Sequence, residues 1–270
     1  MKPFLKWVGG KRQLLAELET YMPPTFERYF EPFMGGAALF FHRCPQHAFL
    51  SDVNQELVNC YQIVKSKPDA LIAALQHHYY DSDHYYQVRN LDRDPKRYAS
   101  LSDVARAARL IFLNRTGFNG MYRVNSKGQF NVPFGRYSNP VIANETLIRQ
   151  ASAALQNADI RCQPYTEIAQ IASQGDFVYF DPPYMPLSKT AHFTRYAKDD
   201  FQLADQQELA ETCRRLHDKN VRFLASNAYH DDIKELYQGF EIVEIKARRS
   251  INSKADGRQA ISEALIYNKL

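Results

Sequence analysis

The tetrapeptide Asp181-Pro182-Pro183-Tyr184 follows directly on an apolar run, Phe177-Val178-Tyr179-Phe180. A carboxylate at the carboxyl end of a buried parallel strand lies where open α/β sheets hold their ligands. Two consecutive prolines fix φ and withhold two backbone donors, which leaves carbonyls facing the same pocket as the carboxylate. The tyrosine adds a flat face for stacking. Together these groups suit a planar ligand bearing an amino group. Asp181 and the Pro182 carbonyl accept its two hydrogens, and Tyr184 covers the ring. An amine held this way turns its lone pair toward an electrophile. A bare Pro-Pro after a strand is only a chain turn; the flanking acid and tyrosine are what argue for chemistry.

A second constellation is Phe30-Glu31-Pro32-Phe33-Met34-Gly35-Gly36-Ala37, which reads as strand, glycine turn and helix. Glycines there permit a tight turn and close approach of backbone to a ligand. Asp52 lies 17 residues beyond Gly35, at the end of the apolar run 48–51. An acid at about that offset accepts hydrogen bonds from ribose hydroxyls in nucleotide-binding α/β units. The fingerprint G-x-G-x-x-G is absent, so an adenosine-containing cofactor without a pyrophosphate is expected. Near the N-terminus, Phe4-Leu5-Lys6-Trp7-Val8-Gly9-Gly10-Lys11 sets the chain's one tryptophan between two lysines and beside a glycine pair. Trp7 is then either a docked core residue or a lid over the cofactor.

A third region interleaves aromatic, glycine and cationic residues: Asn114-Arg115-Thr116-Gly117-Phe118-Asn119-Gly120-Met121-Tyr122-Arg123, then Phe130-Asn131-Val132-Pro133-Phe134-Gly135-Arg136-Tyr137. Arginine pairs with guanine, asparagine reads adenine, and an apolar ring wedges between base pairs. The plain alternative is a packed aromatic hairpin with surface arginines. Charge favours the first reading. The net charge is only +4, yet 106–137 carries six Arg/Lys and no acid, and 246–258 carries five against Asp256. Two basic zones on a nearly neutral chain suggest a face for a polyanion.

These groups need elements to position them. Apolar runs at 28–33, 48–51, 160–163, 176–180, 221–225, 241–245 and 264–267 read as strands, the last forming a hairpin edge with its predecessor. Helical spacing at 11–21, 37–42, 55–66, 147–156 and 204–218 alternates with them, the rhythm of a mostly parallel α/β sheet. The stretch from about 67 to 140 breaks that rhythm. Helical patterns at 70–78, 85–91 and 104–113 lead into a long polar hairpin over 118–137, a length that argues for function. At 270 residues the chain is long enough for a large core without disulfide or metal staples.

Other classes fall away. No apolar stretch approaches the roughly 20 residues that span a bilayer, and the N-terminus lacks the apolar core of a signal peptide. Cysteines 44, 60, 162 and 213 form no CxxC pair and read as free thiols of a cytoplasmic protein. Histidines at metal-ligand spacing are absent, so no metal is expected. Neither GxSxG nor a P-loop occurs.

In order along nearly the whole chain, FLKWVGGK (4–11), FEPFMGG (30–36), LSDVN (50–54), LNRTGFNGMYRVN (113–125), FNVPFGRY (130–137), VYFDPPY (178–184) and RRSI (248–251) resemble blocks of the Dam-type DNA adenine N6-methyltransferases. The series is far more specific than D-P-P-Y, which RNA and protein-glutamine methyltransferases also carry. The resemblance implies a methyltransferase-type, Rossmann-like α/β fold with a mostly parallel sheet and an antiparallel edge. It implies a catalytic domain over 1–56 and 145–270, with 57–144 inserted as a helical target-recognition domain ending in a hairpin loop. S-adenosylmethionine is the implied cofactor, facing Trp7, Gly9, Gly10, Lys11, Glu31, Pro32, Phe33, Gly35, Asp52 and Asp181. The implied catalytic loop is Asp181, Pro182, Pro183 and Tyr184.

Double-stranded DNA is the implied partner, with a flipped adenine as target, probed by Lys6, Phe118, Met121, Arg123, Pro133 and Tyr137. Arg115, Asn119, Arg136, Arg248 and Arg249 join them from the basic zones. GATC is the implied target sequence, although Phe118 and Met121 stand where the best-known members carry Tyr and Leu. A monomer is expected, and a cognate restriction endonuclease is a compatible partner. The alternatives are an RNA or protein-glutamine methyltransferase sharing D-P-P-Y, and a DNA-binding relative without catalysis. The basic hairpin argues against a protein substrate, and the intact D-P-P-Y, Asp52 and Lys11 argue against lost catalysis.

Overall fold

The computed structural model describes residues 1–184, 201–248 and 260–270. Its strands are β1 (Tyr29–Glu31), β2 (Ala48–Asp52), β3 (Ala158–Cys162), β4 (Phe177–Phe180), β5 (Arg222–Ala228), β6 (Glu241–Arg248) and β7 (Ala260–Tyr267), and short helices α2 (Ala38–Arg43), α6 (Pro95–Ala99), α9 (Ile168–Ile171) and α11 (Asp231–Leu236) accompany the longer ones given below. They form one sheet in the order β3-β2-β1-β4-β5-β7-β6. The pairs from β3 through β5 are parallel, while β7 runs antiparallel to both β5 and β6.

Each predicted strand is present, and the last forms the expected antiparallel edge hairpin with its predecessor. β7 slots between β5 and β6, and β6 takes the outside. The reason is apolar content: Ala264, Leu265 and Ile266 are fully buried, a run that demands cover on both faces, whereas β6 alternates with glutamates and lysine.

Alternate side chains of the strands feed two cores. Tyr29, Leu50, Phe177, Tyr179, Leu224 and Leu265 point to one side. Phe30, Phe49, Val178, Phe180, Phe223 and Ile266 point to the other, where α10 (Leu203–Asp218) lays Leu209, Cys213 and Leu216 against them. The first side is covered by α3 (Gln55–Ser66), α4 (Pro68–Gln76), α7 (Asp103–Thr116) and α8 (Glu145–Leu155), which supply Leu57, Leu71, Leu75, Leu110 and Ile148. α3, α7 and α8 start on Asn54, Ser102 and Asn144, whose side chains accept from the first-turn backbone.

The segment 57–144 therefore contributes to the sheet-facing core. It also builds a smaller one: Tyr85 and Val88 of α5 (Ser82–Arg89), Phe112, Leu113, Phe130 and Val132 pack together. The expected polar hairpin over 118–137 is less polar and less regular than its sequence suggests. Two isolated antiparallel bridges, Gly117 to Phe134 and Val124 to Phe130, close it, and Phe130 and Val132 face inward. Helix α1 (Leu15–Tyr21) begins four residues later than the spacing predicts, because Lys11 is drawn away into the crevice described below. Among the described residues no helix is long and apolar enough to cross a membrane.

Candidate active site

From β1 the chain steps to β2 and β3 on one side, and from β4 to β5 on the other. The reversal leaves a crevice at the carboxyl ends of β1 and β4, where open α/β sheets bind ligands. The two leading sequence motifs meet there, since Glu31 ends β1 and Asp181 follows β4.

The glycine turn after β1 is fixed from several sides. Gly35 adopts φ +43, its N–H donates to Asp52 Oδ2 at 3.2 Å, and its carbonyl accepts from the Tyr61 hydroxyl at 3.1 Å. Trp7 lies on this turn: a Cβ at Gly35 would come within 2.7 Å of Trp7 Cδ1, and one at Gly36 within 3.1 Å of Trp7 Cβ. The indole's other neighbour is Tyr122, stacked at 5.2 Å. Trp7 is thus a half-buried residue seated on the glycine turn, packed on one side and not fully enclosed. Asp52 Oδ1 accepts from the Asn54 N–H at 2.9 Å, and burial raises this carboxyl above its ordinary range while the backbone bonds oppose the rise. Beside it, β3 leads through Gln163 and Pro164 to Tyr165, whose ring stacks on Phe33 at 5.0 Å.

At the end of β4, Lys11 Nζ lies 2.8 Å from Asp181 Oδ1, with 6% of the lysine and 19% of the aspartate side chain exposed. The lysine also donates to the Gly9 carbonyl at 2.9 Å and sits 4.6 Å from the centre of the Tyr184 ring. Burial pushes the Asp181 carboxyl up, and the Lys11 charge and hydrogen bond pull it back. Oδ2 of Asp181 has no hydrogen-bond partner among the described residues. An acceptor held through one oxygen, with the other unbonded among the described residues, is suited to orient an amine.

Glu31 is a buried neighbour of this pair. It accepts from the Tyr29 hydroxyl at 2.7 Å and the Phe40 N–H at 3.2 Å. Burial moves its carboxyl up to about 8, helped by the Asp181 charge and opposed by the two hydrogen bonds. Pro32 is buried and Pro182 likewise, whereas Pro183 is exposed.

The residues expected to face a duplex gather around the N-terminal segment. Asn114, 2% exposed, accepts from the Lys6 N–H at 2.9 Å and donates to the carbonyls of Lys6 at 2.7 Å and Gly120 at 2.8 Å. This clamp joins the segment to the tight turn Phe118–Gly120, where Asn119 takes φ +54 and Phe118 stands 48% exposed. The Phe118 N–H donates to the Pro133 carbonyl at 2.9 Å, the Tyr137 hydroxyl donates to the Gly117 carbonyl at 2.9 Å, and Lys6 Nζ lies 4.9 Å from the Tyr137 ring. Lys6, Phe118, Asn119, Pro133 and Tyr137 therefore share one surface.

Met121 is half-buried against the smaller core. Arg123 is exposed and donates to Asn131 Oδ1 at 2.7 Å, and Arg136 is exposed. Arg115 needs correction as a surface cation. It turns inward to donate to the Phe4 carbonyl at 2.7 Å, and burial lowers its pKa. Arg248 closes β6, and Arg249 lies outside the described residues.

Sequence reasoning passed over Asn114 as a clamp, Tyr122, Tyr165 and Glu263. An asparagine on the buried face of α7 was a usable signal for the first. No local pattern announced the others.

A sheet in this order, with a strand-end Asp-Pro-Pro-Tyr beside a glycine turn and a following acid, defines the methyltransferase class of α/β proteins. Residues 7–251 match the family described as D12 class N6 adenine-specific DNA methyltransferase, and the chain belongs to that family. It is 43% identical over 272 residues to the type II methyltransferase M1.LlaDCHI of Lactococcus lactis subsp. cremoris, covering 99% of this chain and 95% of the relative. Identity is 41% over 288 residues to the type II methyltransferase M.MjaIII of Methanocaldococcus jannaschii, covering 99% of each. To the DNA adenine methylase of Escherichia coli K12 it is 37% over 277 residues, covering 99% and 95%. The protein is an adenine-specific DNA methyltransferase.

Proposed function

We propose that the chain transfers a methyl group from S-adenosylmethionine to N6 of an adenine flipped out of duplex DNA, within GATC. The observation that carries this is the crevice itself: Asp181, Lys11 and Tyr184 stand at the end of β4, next to the Gly35–Trp7 cradle and Asp52. The residues present fit the cofactor. Asp52 is an acid at the offset that suits ribose hydroxyls, and the Phe33–Tyr165 pair offers aromatic faces. When bound, S-adenosylmethionine supplies a methyl carbon on a sulfonium that leaves as a neutral thioether.

The chain's own part is positioning. Asp181 Oδ2 accepts one N6 hydrogen, the Pro182 carbonyl accepts the other, and Tyr184 covers the ring, which turns the N6 lone pair toward the methyl carbon. As the N–C bond forms, N6 gains positive charge, so both hydrogen bonds strengthen along the reaction. The excess proton on N6 then passes to water, leaving a neutral methylated amine. The target cannot reach this crevice from inside a duplex and is flipped, with Phe118 at the helix axis filling or wedging the gap. The stretch 57–144 acts as the target-recognition part. A restriction endonuclease reading the same sequence is the companion that the type II names of two relatives suggest.

The test is methyl transfer from labelled cofactor to unmethylated duplex, with N6-methyladenine mapped at base resolution, for the wild type and Asp181→Ala. Label confined to GATC in the wild type is expected. The variant should lose at least about a thousandfold in turnover while duplex affinity changes by less than about threefold. Near-normal methylation by the variant would remove Asp181 from its role, and label at another motif would replace GATC.

A further inference from the structure

We infer that Glu263 is a positioning residue for methyl transfer, orienting the ring of Tyr184; this rests on reading Asp181–Tyr184 as the catalytic loop. Glu263 stands on β7 opposite Ala228, the last residue of β5. A strand running against the parallel sheet thus delivers a carboxylate to the edge where the parallel strands end. There the Tyr184 hydroxyl donates to Glu263 Oε2 at 2.8 Å, and Lys11 Nζ lies 3.9 Å from the same oxygen.

The consequence is geometric. Two prolines constrain the backbone that enters Tyr184, and the hydroxyl bond anchors the far end of the ring. Lys11 lies over the ring itself. The bond fixes the direction of the ring axis, and because a phenol O–H prefers to lie in the plane of its ring, the position of Glu263 Oε2, together with Lys11 over one face, biases the plane offered to a stacked base. A carboxylate ordinarily faces water, but only 13% of this side chain is exposed. Burial raises the Glu263 carboxyl, opposed chiefly by the Lys11 charge and then by the Tyr184 bond. Lys11 is therefore shared: Asp181 holds it closely and Glu263 steadies it from the other side. Burial and the neighbouring carboxylates raise the Tyr184 phenol far above its ordinary value, which keeps it a donor.

The experiment compares Glu263→Ala, Glu263→Gln, Tyr184→Phe and the double variant Glu263→Ala/Tyr184→Phe in single-turnover transfer to duplex DNA. Cofactor affinity, duplex affinity and melting temperature are measured alongside. Glu263→Ala and Tyr184→Phe are each expected to slow transfer on the order of tenfold to a hundredfold, with both affinities within about twofold of wild type. Glutamine keeps an acceptor oxygen and should recover most of the rate. The double variant should be no slower than the slower single, because each change removes the same hydrogen bond.

Glu263→Met, similar in volume and lacking an acceptor, takes the place of alanine if that variant does not fold. Wild-type rates in both acceptor-free variants overturn the inference. So do losses that multiply in the double variant, or losses that track a fall in melting temperature. A wild type that methylates no DNA adenine removes the underlying reading instead, which is a different and separately visible failure.

Discussion

At the scale of single residues, the site is legible wherever a side chain sits in a chain-local motif. Asp181, Asp52 and Lys11 announce themselves because a strand end, a glycine offset and an odd N-terminus are all readable in one dimension. Glu263 does not, because its partner Tyr184 lies 79 residues away and meets it only through an antiparallel strand inserted between two others. Glu31 was legible as a position but not as a chemical state. Burial lifts its carboxyl to about 8, so it is protonated in the folded protein at neutral pH and able to donate. In the unfolded chain the same group ionises near its ordinary value of about 4.3. Between those values the folded state binds more protons than the unfolded state, so stability falls as pH rises through that window. Glu31→Gln removes this penalty. Denaturation of both proteins at about pH 5 and about pH 9 should show the variant gaining on the wild type as pH rises. A difference that stayed constant with pH would mean that Glu31 is ionised throughout.

Elements were read more reliably than their ends or their neighbours. The strands of the sheet follow from apolar runs, since a strand buried on both faces must be apolar along its length. What periodicity could not convey was that β7 enters the sheet's interior, or that α1 yields its first expected turn to the crevice. Both are tertiary outcomes: one follows from where two-sided cover exists, the other from the attraction of Lys11 to Asp181. A glycine turn and a helix side chain that fasten neighbouring segments each make a prediction. Gly35→Ala places a Cβ at φ +43 and within 2.7 Å of the Trp7 indole. Left-handed backbone costs an ordinary residue about 1–2 kcal/mol, and the indole must move. Cofactor affinity should drop roughly tenfold, and because Trp7 is the only tryptophan, its emission should shift even without cofactor. Asn114→Ala leaves the Lys6 N–H and two carbonyls without their partner. Thermal denaturation should register a loss of about 1–3 kcal/mol, and the KM for duplex should rise more than the KM for cofactor.

Charge is a property of the whole molecule, and here the linear count misleads. The acid-free stretch 106–137 looked like a cationic face of six side chains, but acids from elsewhere in the fold claim part of it. Arg106 pairs with Glu56, Arg109 is buried with Asp92 at 2.8 Å, and Arg115 turns inward to the Phe4 carbonyl. A run without acids in sequence is therefore compatible with neutralisation across tertiary contacts, which no window along the chain can detect. Lys127 and Arg136 remain exposed, Arg123 is exposed while bonded to Asn131, and Lys6 joins them from the N-terminal segment. On the proposed function, these four exposed cations would displace counterions from DNA. Each phosphate contact adds about 0.9 to the slope of log affinity against log salt. Removing one of these cations should lower the slope by about 1, whereas removing an internally paired one should leave it unchanged. Duplex binding across a salt series is accordingly expected to separate two kinds of arginine. Arg136→Ala and Lys127→Ala should each flatten the dependence by about 1 with melting temperature preserved. Arg106→Ala should keep the wild-type slope and lose stability, because it strips Glu56 of its cation in a half-buried pair and leaves only the Tyr98 hydroxyl. If Arg106→Ala flattened the slope as much as Arg136→Ala, the duplex would have to reach α7. The proposed face around the exposed Phe118 turn would then have to be abandoned.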